Sequence, residues 1–251
     1  MNAVLLKEGE RVDDLMRGGL RIIQSRSTYS FGLDAVLLAH YVRARPHDRL
    51  IDLGTGNGVI PILLSHLTRS REIIGVEIQE DLADMAIRSI EMNGLSERVK
   101  VVKGDMMKAP ETFGESSFDV VVSNPPYMKS GSGAINPRTP LAIARHEIAC
   151  TLEQVLQTSV RLLRQRGRIY LVHRADRFVD LLCSMRNENL EPKRARMVHP
   201  APKRPPNLVL VEGVKGARPG ILFAAPLYVY EEGGDFSDEM RGIYGCRSVE
   251  C

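Results

Sequence analysis

The chain has 251 residues, 43% apolar and 26% charged, and thirty-four Lys and Arg against thirty-one Asp and Glu leave a formal charge of +3. This mixture excludes a disordered chain, a collagen-like repeat and a disulfide scaffold, and the length suffices for one substantial core with an appendage or for two small domains. No apolar run approaches the ~18 residues of a membrane span, and the start, where Ala3–Leu6 gives way to Lys7 and Glu8, does not read as a signal peptide. Four scattered cysteines (Cys150, Cys183, Cys246, Cys251) without a CxxC pair fit reduced thiols in a cytoplasmic protein with no metal site.

About 48 residues with strand-like and single-helix patterns come first, among them Asp34 ahead of Ala35–Ala39, where Asp34 reads as a helix N-cap. From Arg49 onward short apolar runs alternate with helical spacing. Strands are expected at 49–54, 72–78, 99–105, 118–123 and 168–173. Helices are expected at 56–67, 80–93 (closed by Gly94 as a C-cap glycine), 147–164 and 176–187. Strand-like segments near 193–198, 207–214 and 221–230 then follow without helices. Repeated strand–helix units predict a doubly wound α/β domain over 49–251, with a mostly parallel sheet covered on both faces. An antiparallel hairpin finishes it, and residues 1–48 form an N-terminal extension.

The turn Asp52-Leu-Gly-Thr-Gly-Asn-Gly58 lies where the first of these strands meets its helix. Glycines there permit positive φ and close approach of a ligand to the backbone. The spacing departs from the dinucleotide pattern, since Val59 stands where a third glycine is needed, and no Lys-Ser/Thr follows as in a phosphate-binding loop. Asp52 would repel a pyrophosphate and suits a cationic ligand such as S-adenosylmethionine. Glu77, at the end of the next strand, can accept hydrogen bonds from both ribose hydroxyls. Asp105, at the end of the third, can take the adenine amino group.

Asn124-Pro-Pro-Tyr127 follows the fourth strand. Two prolines fix φ twice and remove two N–H donors, leaving the Asn124 amide oxygen and the Pro125 carbonyl as acceptors in a rigid frame completed by Pro126. Two acceptors can hold both hydrogens of an amino group on a π system and present its lone pair to a methyl electrophile. Tyr127 offers a face on which a planar base stacks.

With these motifs the chain resembles the class I S-adenosylmethionine-dependent methyltransferases that act on amino groups. Within them it is similar to the bacterial valine-tRNA adenine-N6 methyltransferase family. The likeness covers nearly the whole chain and includes 20–24, 31–39, Asp52 to Gly58, Asn124 to Tyr127, Ala144–Glu147, and 207–212 with Lys215 and Gly216. It implies a seven-stranded sheet with its last strand antiparallel, S-adenosylmethionine as cofactor, and a tRNA substrate modified at adenine N6 in the anticodon loop. It also implies that Asp52, Gly54, Thr55, Gly56, Asn57 and Gly58 hold the methionine end of the cofactor. Glu77 and Ile78 then serve the ribose, Asp105 and Met106 the adenine ring, and Asn124 borders both ligands. Tyr29 and Phe31 match a segment that folds over the pocket. His146 and Glu147 read as a helix start, with Glu147 at the favourable end of the dipole.

Residues 161–204 hold twelve Lys or Arg and four acids, a segment of +8 against −5 elsewhere. Lys203 and Arg204 are its candidates for phosphate contact. Guanine N2 in ribosomal RNA, a glutamine amide in a translation factor, and a non-catalytic cofactor- or RNA-binding protein are the alternatives. An intact Asn124–Tyr127 tetrad disfavours the last.

Overall fold

The computed structural model describes residues 6–25, 32–125 and 151–245. Tyr29, Phe31, Pro126, Tyr127, His146, Glu147, Cys150, Cys246 and Cys251 lie outside the described residues. In chain order the elements are β1 (Glu10–Asp14), β2 (Arg21–Ser25), α1 (Leu33–Tyr41), β3 (Arg49–Leu53), α2 (Val59–Leu67), β4 (Glu72–Glu77), α3 (Glu80–Met92), β5 (Val99–Lys103), α4 (Ala109–Phe113) and β6 (Phe118–Ser123). After the segment left undescribed come α5 (Leu152–Leu162), β7 (Leu163–Arg174), α6 (Phe178–Asn187), β8 (Leu190–His199), β9 (Leu208–Lys215), β10 (Leu222–Phe223), β11 (Leu227–Tyr228) and α7 (Asp238–Tyr244).

Seven long strands form the central sheet in the order β8-β9-β7-β6-β3-β4-β5, with the two-residue strands β10 and β11 added along β8. All neighbours are parallel except β9, which runs antiparallel to both β7 and β8. The expected hairpin is therefore β8–β9, with β9 inserted between β7 and β8. Because β3, β4, β5, β6, β7 and β8 all run one way, their carboxyl ends share one edge. The Gly-rich turn, Glu77, Asp105, Asn124 and the loop holding Lys203 all leave from that edge, where ligands bind in open α/β sheets.

The period of two along each strand sorts side chains into two cores. Leu50, Val120, Val122, Tyr170 and Val172 pack with α1 and α2 on one face. Ile51, Leu53, Val121, Ile169 and Leu171 pack with α5 and α6 on the other. Each fully buried Val, Leu or Ile contributes about 1.5–3 kcal/mol, and dozens are buried here. The extension joins this packing, since α1 supplies six buried residues. The β1–β2 hairpin forms its own small sheet, held to α3 where the Ile23 N–H donates to Ser89 Oγ at 2.9 Å.

Several boundaries differ from the sequence expectation for identifiable reasons. The helix expected from Gly56 starts at Val59, because Gly54, Gly56 and Gly58 take φ of 76°, 58° and 86°. Asp34 is not the N-cap of α1. Gly32 is, and Asp34 Oδ1 accepts from the Ala35 N–H within the first turn. The helix expected from residue 147 begins at Leu152, behind a capping box in which Thr151 Oγ1 accepts from the Gln154 N–H and Gln154 Oε1 accepts from the Thr151 N–H. The helix expected from Asp176 starts at Phe178, after a 3-10 turn over 175–177. Strand β7 begins five residues before Arg168. The polar run Arg164–Arg166 shows no alternation, and pairing with β6 is irregular there, with Arg166 at φ 65°. The end of α3 is as expected: Gly94, at φ 68°, donates to the Glu91 carbonyl and Leu95 to that of Ile90, a Schellman motif.

Among the described residues no helix is long and apolar enough to cross a membrane, and no cluster of three or more His, Cys, Asp or Glu is placed to hold a metal ion. Cys183 is exposed as a free thiol.

Candidate functional site

The turn after β3 is built to bring backbone close to a ligand. The Gly54 and Thr55 N–H groups both donate to the Val76 carbonyl at 3.0 Å, tying the turn to β4. A β-carbon on Gly56 would meet nothing within 4 Å, so the backbone there faces open space. Gly58 is the opposite case, because its β-carbon would come within 3.0 Å of Ala86 Cβ, and its absence lets α2 start against α3. Asn57 is buried and its Nδ2 donates to the Ile23 carbonyl at 3.1 Å, joining the turn to the N-terminal hairpin.

Glu77, 5% exposed at the end of β4, anchors this turn. Its Oε2 accepts from the Gly56 N–H at 2.8 Å and its Oε1 from the Gln79 N–H at 2.9 Å. Its own carbonyl accepts from the Gly104 N–H, linking the end of β4 to the end of β5. There Asp105 Oδ1 accepts from the Met107 N–H at 2.9 Å and caps the 3-10 turn of Met106–Lys108. The Met106 side chain leans toward Gly54, its Cε 3.8 Å from where a β-carbon would stand. Ile78 is 45% exposed at the same edge. The structure thus gathers Gly54, Gly56, Glu77, Ile78, Asp105 and Met106 at the carboxyl ends of three neighbouring strands, β3, β4 and β5.

Asp52 is the anomaly of the site. It is 1% exposed, and neither carboxylate oxygen has a hydrogen-bond partner; the Thr55 hydroxyl beside it is buried and unpaired as well. Burial pushes its pKa up to about 7; the Thr55 hydroxyl, close but short of good hydrogen-bond geometry, works against the rise, and the like charge of Glu77 adds to it. A buried carboxylate without a partner is costly unless a ligand supplies one. A ligand's ammonium group fits that need.

Asn124 and Pro125 follow β6, the immediate neighbour of β3. Ser123 Oγ donates to the Leu53 carbonyl at 2.8 Å in the core, so the residue before Asn124 is fastened to the residue before Gly54. Asn124 is half-buried and Pro125 buried. The acceptor frame and the Gly-rich turn therefore leave the sheet side by side, about 5 Å apart in strand spacing.

The basic segment behaves differently from its appearance in sequence. Nine of its twelve cations lie in ion pairs: Arg161, Arg164, Arg168, Arg174, Arg177, Arg186, Arg194, Arg196 and Lys203. Chain direction explains the dispersal, because β7 carries Arg164 at one edge of the sheet and Arg174 at the other. No single basic face results among the described residues. Lys203 and Arg204 do stand at the carboxyl edge, and Lys203 Nζ meets Glu232 at 2.7 Å. Sequence reasoning missed the Asn57–Ile23 and Ser123–Leu53 links; a polar residue beside a glycine turn or at a strand end was the only signal for them.

Residues 44–200 match the model of a methyltransferase domain family. The tRNA1(Val) (adenine(37)-N6)-methyltransferase of Parabacteroides distasonis is 31% identical over 72% of this chain and 75% of its own length. The protein of the same description from Porphyromonas gingivalis is 29% identical over 76% of each chain. Among solved structures, a predicted O-methyltransferase from Agrobacterium tumefaciens superposes with a TM-score of 0.68 at 22% identity, covering 86% of this chain and 97% of that one. This last likeness concerns the fold.

Proposed function

The chain belongs to the S-adenosylmethionine-dependent methyltransferase family that includes the bacterial tRNA1(Val) (adenine(37)-N6)-methyltransferases, and we propose that it methylates the exocyclic amino group of an adenine in the anticodon loop of a tRNA. The observation that carries the reading is the fastening of β6 to β3 through Ser123 and Leu53, which sets Asn124 and Pro125 beside the Gly-rich turn.

S-adenosylmethionine supplies a methyl group already activated by its sulfonium. The protein's task is then positioning and exclusion of water, and no strong base is required. Asp52 takes the ammonium of the amino-acid end, with the backbone of Gly54, Thr55, Gly56, Asn57 and Gly58 around it. Glu77 and Ile78 border the ribose, and Asp105 and Met106 the adenine. The Asn124 amide oxygen and the Pro125 carbonyl accept the two hydrogens of the target amino group, which turns its lone pair toward the methyl donor. Tyr127 stacks on the base, with Pro126 stiffening the step between them. Residues 1–48 act as a wall and lid over the site, with Tyr29 and Phe31 in the covering segment and Ile23 already pinned to Asn57. Lys203 and Arg204 meet substrate phosphates. The target base must leave its stack to reach this depth, as in other base-modifying enzymes.

The test is transfer of labelled methyl from S-adenosylmethionine into total bacterial tRNA, followed by mass spectrometry of the nucleosides. N6-methyladenosine is expected with the unaltered protein, and a loss of transfer of at least ~100-fold with Asn124→Ala, well beyond any loss of cofactor affinity. Label in N2-methylguanosine, or in protein alone, would overturn the adenine reading. Tight cofactor binding with no transfer would favour a non-catalytic role.

A further inference from the structure

At the carboxyl end of β8, three strands from the Asn124 frame in sheet order, the turn 201–204 and the turn 230–234 enclose an open cavity of about 420 Å³. Neighbouring strands are ~4.8 Å apart, so its lateral distance from Asn124 is about 14 Å. Lys203 and Arg204 form one wall and Tyr230 part of the other.

Tyr230 is the outer member of a three-ring column. It stacks on Phe236 with centroids 5.3 Å apart and planes 7° from parallel, and Phe236 stacks on Tyr244 at 5.4 Å. The column is braced by the backbone, since the Tyr230 N–H donates to the Pro200 carbonyl and Tyr230 pairs with Phe236 in a β-bridge. Tyr230 nonetheless keeps 42% of its surface exposed. A rigidly held and partly exposed aromatic ring is the kind of platform on which single-stranded nucleic acids stack their bases.

The opposite wall is also set in place. Lys203 takes φ 64°, which a residue with a β-carbon seldom adopts, and the turn around it is closed by the Arg204 N–H donating to the Ala201 carbonyl. His199 Nδ1 lies 2.7 Å from the Arg204 carbonyl, and its ring packs on Tyr228. Backbone strain of this kind persists where the surroundings enforce it. Here it aims a cation across the cavity at the carboxylate of Glu232. Both members of that pair are exposed, at 84% and 65%, and an exposed ion pair is weak enough for a phosphate to displace. Glu231 also lines the cavity; farther along the same acidic stretch the charges are met within the protein, Arg196 holding Glu239 through two hydrogen bonds and Arg241 pairing with Asp238.

We propose that this cavity is a second RNA-contact site, taking a nucleotide of the substrate strand that flanks the target. Its base stacks on Tyr230 as the fourth member of the column, and its phosphate replaces Glu232 on Lys203 and joins Arg204. The proposal rests on the RNA reading above and adds to it a location. Glu232 is the anion that an incoming phosphate displaces from Lys203.

Binding of a fluorescently labelled anticodon stem-loop RNA to the full chain tests it, alongside S-adenosylmethionine affinity and methyl transfer. Tyr230→Ala is expected to weaken RNA binding about tenfold and to raise KM more than it lowers kcat, with Tyr230→Phe recovering most of the loss. Arg204→Ala is expected to weaken binding several-fold and to reduce the slope of log affinity against log salt by about one. Glu232→Gln is expected to tighten RNA binding a few-fold, an effect that loss of a merely structural ion pair would not produce. AMP is expected to compete only weakly, and competition as effective as that of the RNA would overturn the proposal in favour of a mononucleotide site. If the unaltered protein binds and methylates RNA while Tyr230→Ala and Glu232→Gln both match it, the cavity proposal is wrong and the function stands. If the unaltered protein neither binds nor methylates RNA, both fall together.

Discussion

Glu77 Oε2 accepts the Gly56 N–H at 2.8 Å, so a side chain from the end of β4 holds a turn that grows from the end of β3. Its second oxygen accepts from Gln79. Each carboxylate oxygen keeps a further lone pair, so Glu77 retains acceptor capacity beside the structural bonds. Glu77→Ala strands two backbone donors and frees the turn. Hydrogen bonds to charged groups are worth about 1.5–3 kcal/mol each, so a lowered melting temperature and cofactor binding at least ~tenfold weaker are expected. Glu77→Gln, with one acceptor oxygen where two are used, should fall between. Calorimetric titration with S-adenosylmethionine measures both, and an alanine variant of unchanged affinity would detach Glu77 from the site.

The strand ends that gather Asp52, Glu77 and Asp105 were legible because each carries a distinctive residue. Asp52, Glu77 and Asp105 fall at the ends of β3, β4 and β5, and parallel strands put such ends on one edge. The glycine turn was legible as a turn, although its helix starts three residues later than spacing suggested, since positive φ at Gly56 and Gly58 prevents helical continuation. The basic segment is distributed in space in a way its sequence does not show. Summing charge along the chain ignores that β7 crosses the molecule, and its cations find acids such as Asp48 and Asp119 that are distant in sequence. Links through buried hydroxyls and amides, Ser123 to Leu53 and Asn57 to Ile23, leave no mark in periodicity at all.

Asp52 makes the cofactor-free protein sensitive to pH near neutrality. Its pKa stands raised to about 7 from an ordinary 3.8, first because of burial. The folded state therefore holds a proton that the unfolded state releases between those values. Stability contributed by that proton is present below pH ~4 and lost as pH rises toward 7. Asp52→Asn is expected to flatten this fall and to be the more stable protein at pH 8, while binding S-adenosylmethionine more weakly. In the unaltered protein, cofactor affinity is expected to rise with pH through 7, as the ionised carboxylate meets an ammonium. Thermal melts between pH 5 and 8.5 decide the first point, and identical pH slopes for the two proteins would refute it.

Gly75, inside β4, shapes the site without touching it. A β-carbon there would stand 2.8 Å from Thr55 Cγ2 and 2.9 Å from Thr55 Oγ1. Both are branches of a side chain seated in the Gly-rich turn. Gly75→Ala is expected to destabilise by about 1–3 kcal/mol through overpacking and to weaken cofactor binding by displacing Thr55. Adding Thr55→Ala removes both clashing atoms and should restore part of the stability. The double-mutant cycle reads the coupling directly, and strictly additive losses would show that the strain is relieved elsewhere.

The N-terminal hairpin is held to the domain by Arg88 of α3, whose guanidinium donates to both carboxylate oxygens of Glu10, at 2.6 and 2.8 Å, and to Asp84. The Glu10 side chain is only 7% exposed and that of Arg88 15%. The Arg88 hydrogen bond holds the Glu10 carboxyl below its usual range, outweighing burial. A depressed carboxylate pKa contributes stability that is complete above pH ~4.5 and lost as pH falls through the folded value, so acid should loosen the hairpin first. Glu10→Ala should do the same at neutral pH, costing about 1–2 kcal/mol, between the values for exposed and buried pairs. The hairpin also carries the Ile23 carbonyl that Asn57 Nδ2 reaches. Its release is therefore expected to travel to the Gly-rich turn and to weaken cofactor binding severalfold. Hydrogen exchange should show faster amides in Glu10–Asp14 and Arg21–Ser25 with the central strands unchanged. Faster exchange there at undiminished cofactor affinity would mean that the hairpin is anchored by Arg88 but does not shape the site.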